Sequence, residues 1–145
     1  MERIKYFAKK RKVNKLKKEF IIIILVVIIV IILEVITNNY RDQTIKNISG
    51  ELNILREELL NKPEEIREDI KNMTEEIDSN WKEDFKILAY YIEHDELEKV
   101  STELILLKTY IEIEEYNSAI IVVDKCKFIL EHIKDKQEFT FQSIF

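Results

Sequence analysis

Fourteen residues, Phe20 to Leu33, are apolar without a break, and Val35 and Ile36 extend the run past Glu34. A helix apolar on every side has no face for water, so it belongs in a protein core or a bilayer. Nothing else in the chain offers a comparably apolar surface to wrap it, which leaves the bilayer. The 17 residues from Phe20 to Ile36 cover about 26 Å as a helix, at the short end for a hydrocarbon core of about 30 Å. Glu34 at one edge and Lys17 and Lys18 at the other reach the headgroups by snorkelling. The Ile and Val content is no obstacle, since an isolated segment in lipid satisfies its backbone only as a helix. Phe20, Ile24, Ile28 and Leu33 mark the anchor along its length.

The flanks give a direction. Residues 1–19 hold nine Lys and Arg against Glu2 and Glu19, a net of +7, whereas residues 37–145 hold 14 basic against 25 acidic residues, a net of −11. The positive-inside rule puts the N-terminus in the cytoplasm and the acidic region outside. The basic tail is read as only setting this topology, with binding of anionic lipid as the alternative. It lies against the bilayer with only Tyr6 and Phe7 as stacking groups, so no nucleic acid is expected as a partner. After Ile36 the chain reads Thr37-Asn38-Asn39-Tyr40, with no small-residue cleavage step. We therefore expect an uncleaved signal anchor, with the lipid bilayer as its first partner.

Beyond the anchor the composition excludes much. Gly50 and Pro63 are the single glycine and proline of 145 residues, which excludes tight-turned sheets and glycine-rich phosphate loops. Abundant mixed charge suits solvated helix faces. The expected class is all-α: one N-terminal transmembrane helix, a helical stalk, then an antiparallel helical bundle. The corresponding segments are a basic tail 1–19, the anchor 20–36, a stalk-like stretch 37–79, and a bundle 80–145 with a packed C-terminal tail.

The periodicity supports this. Ile45, Ile48, Leu52, Leu55 and Leu59 alternate at three and four residues, a coiled-coil seam. Pro63 fits the first turn of a new helix with Ile66, Ile70, Met73 and Ile77 as its stripe. Asp78-Ser79-Asn80 reads as a break or soft cap, with Glu83 at capping-box distance from Asn80. Trp81, Phe85, Leu88 and Ile92 follow. Asp95 and Glu98 repeat the capping spacing before Leu97, Val100, Leu104, Leu107 and Ile111. Asn117 caps a last helix whose Ala119, Ile120, Val123, Cys126, Phe128 and Leu130 leave it apolar nearly all round. Short connections make the three segments 80–93, 96–113 and 116–133 antiparallel neighbours. Trp81, Phe85, Leu104, Leu107, Ile120 and Phe128 are the candidates for core or interaction surface.

Catalytic chemistry is hard to place. The carboxylate doublets (Glu57-Glu58, Glu64-Glu65, Glu75-Glu76, Glu114-Glu115) read as solvated helix faces, not as an acid and base in a cleft. Cys126, alone on an apolar stripe, reads as a buried hydrophobe. The doublets Glu93-His94 and Glu131-His132 both fall near helix ends, and parallel helices would bring two His and two Glu to one end, a zinc-like ligand set. The plainer reading is histidine placed favourably near a helix C-terminus. We expect no cofactor, no catalytic residue and no enzyme.

From Trp81 onward the pattern acquires a resemblance. Trp81 opening a helix, His94 near a helix end, Leu104 and Leu107, the Ala119 helix, Leu130-Glu131-His132-Ile133 and the terminal Ile144-Phe145 resemble a family of small membrane-anchored bacterial proteins, domain-of-unknown-function family 4363. The resemblance implies an N-terminal membrane segment and a helical C-terminal part, and no activity. It also implies a multi-span membrane protein as a candidate partner. The expected function is a non-enzymatic interaction or accessory subunit at the cell envelope, binding another membrane protein or itself. The alternative is an envelope module that senses a small ligand or metal.

Overall fold

The structure is a computed structural model that describes residues 2–61 and 67–142, with side chains placed for 17–61 and 68–136. Its described residues form four helices and no strand: α1 (Glu2–Asn61), α2 (Arg67–Leu88), α3 (His94–Glu112) and α4 (Tyr116–Gln142). The chain divides into two compact units, Met1–Asn39 and Tyr40–Phe145.

In the first unit every apolar side chain from Phe20 to Ile36 is 44 to 65% exposed. These residues have no protein neighbours to cover them, so the helix is apolar all round and long enough to cross a membrane. Just past the segment, and still inside α1, Thr37 donates its hydroxyl to the Glu34 carbonyl at 3.0 Å.

The second unit is an up-down-up-down bundle of residues 40–61 of α1 with α2, α3 and α4. Cross-helix pairs fix the register. Tyr40 meets Asp84 and Glu51 meets Asn80, so α1 and α2 run antiparallel. Trp81 meets Ser101 and Asp78 meets Lys108, joining α2 to α3. Glu96 meets Lys136 and Glu103 meets Lys125, joining α3 to α4. Arg56 closes the ring on Asp124 of α4, with Nε 2.8 Å from Oδ1. One core fills the interior: Ile45, Ile48, Leu52, Leu55 and Leu59 from α1, Ile70, Ile77, Trp81 and Leu88 from α2, Leu97 to Ile111 from α3, and Ala119 to Ile133 from α4.

Two boundaries differ from the sequence expectation. The seam of the 37–79 stretch, expected as a stalk, lies in the core of this bundle: Ile45, Ile48, Leu52, Leu55 and Leu59 are buried in one cluster with residues of α2, α3 and α4. Residues 78–80 do not break α2. The stripe Ile70, Ile77, Trp81, Leu88 stays in phase across them, and the would-be capping groups are engaged sideways. Asn80 donates to Glu51 at 3.1 Å, and Asp78 pairs with Lys82 at 2.7 Å. Trp81 accordingly sits inside a helix, not at its start.

The turns are compact. Backbone donors of Tyr90, Tyr91 and Ile92 return to Ile87 and Leu88, which holds the α2–α3 turn. Helix α3 begins at His94, two residues before the expected 96, with Glu93 rather than Asp95 as its N-cap residue and no side-chain capping bond; the Glu93 carboxylate is held by Lys136 at 2.7 Å. Helix α3 ends in a Schellman motif: Glu114 N–H bonds the Ile111 carbonyl, Glu115 N–H bonds the Tyr110 carbonyl, and Glu114 is left-handed at φ 62. The connection containing Pro63 and Ile66, and the side chains of the tail Phe139 to Phe145, lie outside the described residues.

Candidate functional site

Trp81 is the centre of the aromatic cluster. It is 1% exposed, and its indole N–H donates to Ser101 Oγ at 2.8 Å. Ser101 passes a bond on to the Leu97 carbonyl at 3.3 Å, so both polar atoms are satisfied inside the bundle. Phe85 meets Trp81 edge to face at 6.2 Å and the His94 ring at 5.0 Å. Leu104 and Leu107 lie in the core beside them, and Ile120 is half-buried on α4. Over the outer edge of Trp81 runs a shallow groove of about 300 Å³ between α2 and α3, lined among others by Asp78, Lys82, Ile105 and Lys108. Its charges answer one another: Asp78 takes Lys82 at 2.7 Å and Lys108 at 3.5 Å.

The two Glu-His doublets do stand at one end of the bundle, because Glu93 on α3 meets Lys136 on α4. They do not form a ligand set. His94 pairs with Glu98 of its own helix at 3.3 Å, and Glu93 is engaged by a lysine. Glu131 and His132 face solvent. Among the described residues no group of three or more His, Cys, Asp and Glu side chains is placed to hold a metal ion.

Periodicity did not single out three carboxylates that are buried among the described residues. Asp78, Glu96 and Glu103 are nearly covered, each beside a lysine of larger exposure. The Lys99 ammonium, and after it Lys136, hold the Glu96 carboxyl below its ordinary 4.5 against the opposing pull of burial. The available signal was spacing: Glu96 and Glu103 are seven residues apart, one step off the Leu97–Leu104 stripe. Burial and then the Glu103 charge push the Cys126 thiol up to about 12. Burial and this shift both favour the neutral thiol over the reactive thiolate at ordinary pH.

Helix α4 is not wrapped on all sides. Ile121 and Phe128, seven residues apart on its outer face, are each 69% exposed. Phe128 is thus a surface residue, while Ala119, Val123, Cys126 and Leu130 of the same helix are fully buried. Tyr90, in the α2–α3 turn, is the most exposed large apolar side chain described, at 88%.

A family model described as Domain of unknown function (DUF4363) matches residues 35–144, from the end of the apolar segment through the whole bundle. No curated protein and no solved structure matches.

Proposed function

We propose, from the premise that the chain belongs to the DUF4363 family, that it is a single-pass membrane protein whose helical bundle is a non-enzymatic interaction module at the cell envelope. The observation that carries this is the exposure of every apolar side chain from Phe20 to Ile36 next to a bundle whose own core is well covered. Exposed at this density in water, such a surface would aggregate, whereas in lipid it is at home. The nine basic residues ahead of it favour a cytoplasmic N-terminus and an extracytoplasmic bundle. The interaction role is supported by Ile121 and Phe128 on α4, two large apolar side chains on one outer face. A second membrane protein, or a second copy of this chain, is the partner this reading calls for.

Two measurements test it. The protein should stay with membranes through an alkaline carbonate wash and leave them only in detergent. A photo-crosslinking residue at Phe128 should give a reproducible adduct in intact cells, and one at solvent-facing Glu98 should not. Release by carbonate would sink the membrane reading, and equal adducts at both positions would sink the interaction reading.

A further inference from the structure

The α2–α3 turn holds an aromatic ring away from the protein. Its backbone is fixed by bonds from Tyr90 to Ile87 at 3.2 Å, from Tyr91 to Leu88 at 3.0 Å, and from Ile92 to Leu88 at 2.9 Å. Ile92 is buried and Tyr91 half-buried, yet Tyr90 between turn and core stands 88% exposed. Ile87, three residues earlier and therefore on the same face, is 46% exposed. Lys86 beside it is exposed, and Glu93 across the turn is neutralised by Lys136. The result is a small apolar edge among mixed charges, with Lys86 beside it and exposed Glu83 one turn before Ile87.

This edge lies at a particular end of the bundle. Tyr40 Oη donates to Asp84 at 2.6 Å, and α1 runs antiparallel to α2. The first residues of the bundle are therefore level with the last residues of α2, where the turn begins. Tyr40 follows Ile36 by four residues, which in any conformation span at most about 14 Å. The end of the bundle that presents Tyr90 is thus tethered by a short chain to the apolar segment.

We infer that the Ile87–Tyr90 edge of the α2–α3 turn seats in the headgroup layer of the bilayer that the apolar segment crosses. The inference rests on the membrane reading above. Tyrosine suits that layer because its ring meets acyl chain while its hydroxyl stays hydrated.

The test uses the full chain reconstituted in vesicles of phosphatidylethanolamine and phosphatidylglycerol. Single cysteines are introduced as Tyr90→Cys, Glu112→Cys and Val27→Cys and labelled with a fluorophore; native Cys126 is buried, and the parent chain sets the background. Nitroxide lipids then quench from the headgroup or from the acyl chain. The expected result is strong loss of fluorescence at position 90 with headgroup nitroxide, none at 112, and loss at 27 with acyl-chain nitroxide. Quenching at 27 with position 90 no more quenched than 112 overturns this inference alone, and leaves the edge for a protein partner. No quenching at 27 overturns the membrane reading, and this inference falls with it.

Discussion

Single side chains carry the sharpest expectations. Trp81 combines full burial with a satisfied indole N–H, so its truncations separate the two contributions. Trp81→Phe removes the bond to Ser101 while Ser101 keeps the Leu97 carbonyl, and should cost about 1–2 kcal/mol. Trp81→Ala also opens a cavity and should cost about 3–5 kcal/mol. Denaturant unfolding in mild detergent, followed by helical circular dichroism, reads both; equal costs would mean that the ring contributes nothing beyond its hydrogen bond. Cys126 should resist iodoacetamide at pH about 8 in the folded protein and react once denaturant is added, because the attacking species is the thiolate. Rapid native modification would contradict its burial.

Helices show where backbone preference and sequence disagree. Glu114 occupies the left-handed position after α3 at φ 62, a conformation that costs an L-residue about 1 kcal/mol and glycine almost nothing. Glu114→Gly should therefore raise stability by about 1 kcal/mol. Gly50 is the mirror case: it lies inside α1, and an added Cβ meets nothing within 4 Å. Gly50→Ala should gain roughly 0.5–1 kcal/mol. A loss on either substitution, measured by the same unfolding curves, would mean that the turn or the helix is held otherwise. The four apolar stripes were legible because a 3.6-residue period needs only the order of the residues. The continuity of α2 was not. Asn80 is a good capping residue in isolation, and only Glu51, 29 residues away, turns it into a mid-helix bridge. The same limit hid Asp78, Glu96 and Glu103, whose burial depends on lysines of other turns and helices, and the exposure of Phe128, which resembles its buried neighbours in every local respect.

At the scale of the molecule, ionisation should define a window of stability. Glu96 is held below its ordinary 4.5 by Lys99 and Lys136. Its contribution is present above that value and is lost as pH falls through the lowered one. Tyr40, raised by burial and by its bond to Asp84, and Cys126 both titrate near 12 in the folded chain against 10.0 and 9.0 ordinarily. Their contributions are intact below those ordinary values and fade as pH climbs toward 12. Glu96→Gln should flatten the acid limb of a stability profile, and Tyr40→Phe the alkaline limb; unchanged limbs would show that other groups set them. The family match and the exposed apolar segment speak to what kind of molecule this is, and the bundle is its second compact unit. The pair Arg56–Asp124 adds a temporal consequence. It joins α1 and α4 across 68 residues, whereas the other cross-helix polar pairs named above join helices consecutive in the chain. At about 5–20 residues per second, the ribosome needs roughly 3–14 seconds between the two partners. For that interval the leucine row of α1 waits without its final neighbour, and an early-arriving chaperone or a sister chain would find it open.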